Sequence, residues 1–208
     1  MERNEKKKYI QDAIVEGIFS LLLQKNWESL SSNEICEKAG VSKRTLYAYF
    51  HSQDEMYLEL VKRCFERMNI VMRDAIAKRT CAIDKIIYLG ETYIKFMLEN
   101  PREGALILGF DEKRYENTYE KQVNEIHLIA NQYELMHLFG ELNLNPQVFD
   151  ANLAVFLWAH IQGIAQLLHS KGKWMEEYYD VSIENIIEGQ MKLTRQMLGG
   201  LKCVGDGA

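Results

Sequence analysis

The residues best placed for surface chemistry lie between Ser31 and Phe50. Ser42-Lys43-Arg44-Thr45-Leu46-Tyr47-Ala48-Tyr49-Phe50 sets cations, hydroxyls and phenols among apolar positions at helical spacing. On a helix, Leu46 and Phe50 turn inward with Ile35, Ala39 and Val41, which leaves Lys43, Arg44, Thr45, Tyr47 and Tyr49 pointing out. Groups of these types reach phosphate oxygens and base edges in a major groove. No acidic residue stands between Lys38 and Gln53 to repel phosphate. The chemistry on offer is recognition, with no bond made or broken.

Such a helix needs a partner and a tight turn. Ser31 and Glu34 have capping-box spacing and start one short helix. Gly40 falls where an interhelical turn requires positive φ. Val41 plugs the angle between the helices, and Ser42 caps the second. An ordinary helical hairpin with a glycine cap would share this turn, so the outward cations carry the distinction.

Catalytic spacing is not evident elsewhere. His127 and His137 lie ten residues apart and His160 and His169 nine, neither being the i, i+4 spacing of a helical zinc chelate. Cys36, Cys64, Cys81 and Cys203 form no C-x-x-C pair and read as reduced thiols. No nucleophile triad or glycine-rich phosphate loop stands out. The expectation is a protein that is not an enzyme and holds no metal or cofactor.

The formal charge of −5 argues against a general nucleic-acid coat. Residues 1–50 nevertheless carry +1, leaving −6 for the remainder, so a DNA partner would meet the N-terminal end. Arg3, Lys6, Lys7 and Lys8 are not followed by the apolar run of a signal peptide. No segment approaches the roughly 18 uncharged residues of a membrane span. A soluble, cytoplasmic protein is expected.

With two prolines in 208 residues and apolar residues at helical spacing almost throughout, the fold class is all-α. Helices are expected over about 7–25, 32–38, 43–50, 54–78 and 84–99, followed by a short one entered through Asn100-Pro101. Three more span about 111–139, 146–170 after Asn145-Pro146, and 182–198. The helix from Pro146 to Ser170 is apolar nearly all round, more than one helix of a small bundle needs for its own core. Glu176-Glu177 reads as a solvated helix end or loop.

The run Gly40 to Phe50, followed by Ser52-Gln53-Asp54-Glu55, closely resembles the signature of the tetracycline-repressor (TetR) family. The resemblance is strong over about residues 7–60 and beyond that rests on helix order and length. It implies a three-helix helix-turn-helix head, a fourth helix linking it to a divergent ligand-binding body, and dimerisation through the last two long helices. By position, Lys43, Arg44, Thr45, Tyr47 and Tyr49 fall on its recognition helix. Two departures stand out. Cys36 replaces a small residue, and Gln53 replaces a lysine at the start of the fourth helix, a missing cation for which the basic arm around Lys6 and Lys7 could compensate.

The expected organisation is therefore a DNA-binding head over 1–52, a helical effector-binding and dimerisation body over 53–200 and a flexible tail over 201–208. Tyr93, Phe96, Phe110, Tyr115, Tyr119 and Trp158 are candidates for a pocket taking an apolar or aromatic small molecule, with Glu91, Asp111 and Glu116 able to favour a cation. Leu153, Leu157, Ile161, Ile164, Leu168, Ile187, Met191 and Thr194 are candidates for a homodimer interface. The expected function is a ligand-responsive regulator, a repressor, on double-stranded DNA with a palindromic operator. The alternatives are a helical small-molecule-binding protein and a coactivator that docks a protein partner.

Overall fold

The computed structural model describes residues 3–130, 138, 141 and 151–200, and all regular structure among them is helical. In chain order the helices are α1 (Arg3–Leu22), α2 (Ser32–Ala39), α3 (Lys43–Tyr49), α4 (Gln53–Ile76), α5 (Ala82–Glu99), α6 (Pro101–Leu108), α7 (Glu112–Tyr115), α8 (Glu120–Ala130), α9 (Ala151–Tyr179) and α10 (Ile183–Gly200). A short 3-10 turn, Trp27–Ser29, precedes α2. The Asn145-Pro146 helix start, Tyr133, His137, Phe139, Cys203 and the tail over 201–208 lie outside the described residues.

Two compact units result. The first takes the described residues of Met1–Phe65 and Ala105–His127, the second those of Glu66–Gly104 and Leu128–Ala208. In the first, α1 packs on α2 and α3, around Ile14, Ile18, Ile35 and Leu46, each essentially inaccessible to solvent. Gly17 makes the α1–α2 crossing close, since a Cβ there would lie 3.2 Å from the Ala39 Cβ. In the second, α5 packs on both α9 and α10. Gly90 faces Ile161 there, where an added Cβ would come within 2.8 Å of Ile161 Cδ1.

Four local details differ from the sequence expectations. The basic arm is helical: α1 begins at Arg3, so Lys6 and Lys7 project from its first turns, because nothing between Arg3 and Lys8 breaks a helix. The helix expected from Asp111 is interrupted after Tyr115, where the Thr118 and Tyr119 N–H groups both donate to the Tyr115 carbonyl. Asn100 does not cap α6 with its side chain; that amide donates back to the Phe96 carbonyl at the end of α5 (3.0 Å), while Pro101 holds the first helical position as expected.

The fourth is at the end of α9, which continues nine residues past Ser170 and includes Glu176 and Glu177. It stops at Asp180, the one non-glycine residue with positive φ (53°) among the described residues. The α10 start is then satisfied twice. The Ile183 N–H donates to Glu176 Oε1 (2.9 Å) and the Asn185 N–H to Ser182 Oγ (3.2 Å).

Candidate nucleic-acid interface

The α2–turn–α3 hairpin is built by its caps. Ser31 and Glu34 form the reciprocal capping box, and Lys25 also pairs with the Glu34 carboxylate. That lysine, followed by Ser31, holds the Glu34 carboxyl down at about 2. Gly40 takes the left-handed conformation (φ 65°, ψ 32°), and the Val41 N–H reaches back to the Cys36 carbonyl at 3.0 Å. Ser42 Oγ accepts the Thr45 N–H at 3.1 Å and pairs with the Thr45 hydroxyl at 2.9 Å.

Leu46 and Phe50 are buried, whereas Ser42, Lys43, Arg44 and Tyr47 are exposed and Thr45 and Tyr49 half-buried. Among the described residues Lys43 and Arg44 enter no ion pair, so both cations stand available to an anionic partner. The Tyr47 hydroxyl is tied to Ser32 Oγ (2.7 Å) at the first turn of α2. This bond joins the two helices at their outer edge, and reading the sequence did not find it, because hydroxyls fifteen residues apart leave no periodic trace. Lys6 and Lys7 are exposed, as is Gln53.

The six aromatics expected to share a pocket are divided between the units. Tyr115 lies between Tyr57 (5.6 Å between ring centroids) and Phe110 (6.3 Å), with Tyr119 at 6.4 Å, and Tyr57 in turn meets Trp27 at 5.9 Å. All five belong to the first unit, where they fill space against α4. Burial pushes the Tyr57 phenol up to about 12. Tyr93, Phe96 and Trp158 belong to the second unit. Phe96 lines a groove of about 580 Å³ between α4 and α5, with Arg67, Ile70, Val71 and Lys95. Tyr93 is not in that lining, although its buried phenol is likewise raised to about 12. Trp158 is 62% exposed on α9.

The carboxylates considered for a cationic ligand are mostly committed. Glu91 pairs with Lys95 at 2.5 Å and Asp111 caps α7, while Glu116 lines a polar hollow of about 470 Å³ with Glu120 and His127. His127 faces Glu112 at 2.9 Å. Among the described residues no three His, Cys, Asp or Glu side chains are placed to hold a metal ion, and no helix is long and apolar enough to cross a membrane.

The residues expected at a dimer interface pack inside the protomer. Leu153, Leu157, Ile164, Leu168, Ile187, Met191 and Thr194 are buried within the protomer and Ile161 meets Gly90 of α5, so this face is the second unit's own core. The large apolar and aromatic side chains of α9 left in solvent are Val155, Phe156, Trp158, Leu167, Trp174, Tyr178 and Tyr179. Both faces of α9 are apolar, and periodicity alone does not say which one the protomer keeps.

Comparison with known proteins agrees with this construction. The family model "Bacterial regulatory proteins, tetR family" matches residues 14–60, from the buried part of α1 into α4. A TetR-like transcriptional regulator from Rhodococcus sp. RHA1 superposes with a TM-score of 0.58 at 14% identity, covering 96% of this chain and 99% of that one. The MbdR regulator from Azoarcus sp. CIB gives 0.59 at 14% identity, over 94% and 100%. A Rhodococcus sp. RHA1 protein of unknown function gives 0.72 at 19% identity, over 93% and 96%. The head thus matches the tetR-family model over residues 14–60, and the fold as a whole is similar to that of these solved regulators.

Proposed function

We propose that the protein is a ligand-responsive repressor that binds a palindromic operator as a homodimer, with α3 as the recognition helix. The observation that carries this reading is the capped α3, which presents Lys43, Arg44 and Tyr47 outward while Leu46 and Phe50 anchor it. Two-fold symmetry sets two such helices in successive major grooves. Lys6 and Lys7, exposed on the first turns of α1, add phosphate attraction.

The dimer face we infer is the exposed side of α9 and α10. Phe156, Gly163, Leu167 and Trp174 share one side of α9; Gly189 and Leu193 lie together on α10. A Cβ built at Gly163 or Gly189 would meet nothing within 4 Å. Each glycine costs its helix about 1 kcal/mol relative to alanine, and the protomer gains no close contact in return. Close approach of a second copy's helices accounts for both. The effector site we favour is the α4–α5 groove, whose apolar floor of Ile70, Val71 and Phe96 suits an apolar or aromatic molecule. A ligand there regulates DNA binding only by preferring one conformation of the dimer.

The test is binding of the purified protein to its own upstream DNA against a scrambled duplex at two salt concentrations. Specific, salt-sensitive binding that saturates at two protomers per site is the expected result. Equal affinity for both duplexes, repeated with fragments selected from the whole genome, would overturn the DNA-binding reading.

A further inference from the structure

Resting on that DNA-binding reading, we propose that Tyr119, sixty-seven residues from Ser52 in sequence, is a positioning residue for the recognition helix, acting through the Ser52 hydroxyl. The two oxygens lie 2.8 Å apart in a partly buried setting. Ser52 Oγ also accepts the Glu55 N–H at 3.0 Å and so caps the start of α4. Phe50 and His51 alone separate Ser52 from the last residue of α3. Where α3 ends relative to α4 therefore depends on a group that Tyr119 holds.

Tyr119 is itself firmly placed. Its N–H donates to the Tyr115 carbonyl (2.7 Å), and its own carbonyl accepts the Val123 N–H in the first turn of α8 (3.0 Å). Tyr115, 4% exposed, stacks on Tyr57 of α4. Arg114 adds an ion pair to Asp54, two residues beyond Ser52, at 3.6 Å. One hydroxyl–hydroxyl bond thus ties the start of α8 to the start of α4, and Arg114 repeats the link beside it. The segment from Ala105 to His127 belongs to the same compact unit as the helix-turn-helix. Serving DNA recognition from there, it is the point at which a displaced α8 would reach the DNA contacts.

The experiment measures affinity for a duplex selected from a random library by the wild-type protein, and for a scrambled duplex, with Tyr119→Phe, Ser52→Ala and the double variant. Tyr119→Phe keeps the ring stack and removes the hydroxyl, so specific affinity should fall about five-fold, as befits one hydrogen bond, with scrambled-duplex affinity unchanged. In the Ser52→Ala background the same change should have no further effect. Arg114→Gln should lower specific affinity in the same sense.

Tyr119→Phe binding the selected duplex as well as wild type would overturn the inference while leaving the DNA-binding reading intact. So would equal losses on both duplexes in step with a lower melting temperature, the mark of a merely structural role. A wild-type protein that selects no duplex would overturn both.

Discussion

Helices α3 and α9 make opposite use of their surfaces. Helix α3 and its Phe50 cap divide into two buried anchors, Leu46 and Phe50, and an exposed set led by Lys43, Arg44 and Tyr47, so residue types tell inside from outside. The twenty-nine residues of α9 are apolar on the side that meets α5 and apolar again on the side that meets solvent. A short helix with polar contrast announces its orientation, whereas a long helix without contrast does not. In α9 the deciding information lies on another element: Gly90 of α5 admits Ile161 and thereby fixes which face is core.

Substitutions on the two faces of α9 should separate folding from assembly. Leu157→Ala, on the buried face, is expected to cost about 2–5 kcal/mol of stability in urea denaturation; a loss below 0.5 kcal/mol, by the same order of estimate, would return Leu157 to the dimer interface. Leu167→Glu, on the exposed face, should leave the helical circular dichroism signal intact and weaken self-association by about 2 kcal/mol, roughly 30-fold, in sedimentation. An unaltered dimer would remove that face from the interface.

On α3, Tyr47→Ala should weaken specific DNA binding by about 1–3 kcal/mol without changing the oligomeric state. Unchanged operator affinity would reduce Tyr47 to its hydrogen bond with Ser32. The last effect concerns pH. The Tyr57 and Tyr93 phenols are raised to about 12 from an ordinary value of 10.0 by burial, one in each compact unit. The unfolded chain ionises them first, so their contribution is complete below pH 10.0 and declines as pH rises towards 12. Stability that stays flat over that interval would show both phenols to be better solvated than their burial implies.

The head was legible because its determinants are local. The Ser31 box, the left-handed Gly40 and the Ser42 cap each act within four residues, and each residue type admits few roles. The remainder depended on partners far along the chain. Tyr115 and Tyr119 have the spacing of pocket aromatics and yet stack toward Tyr57 or bond to Ser52, more than fifty residues away. Glu176 has the look of a solvated carboxylate, but it caps α10 because a left-handed turn at Asp180 brings Ile183 back to it. None of these pairings has a period, so none is visible until the backbone is in place.

The open glycines of α9 and α10 have a thermodynamic corollary. If the proposed dimer forms, a protomer with no neighbour within 4 Å of a Cβ at Gly163 or Gly189, and with Phe156, Leu167 and Trp174 about half exposed, would draw part of its folding free energy from another molecule. On the dimer reading its melting temperature is not a constant but a function of concentration, climbing as protomers are added and sinking on dilution by the law of mass action. The quantity of regulator in the cell would then set how long each copy survives as well as how fully the operator is occupied.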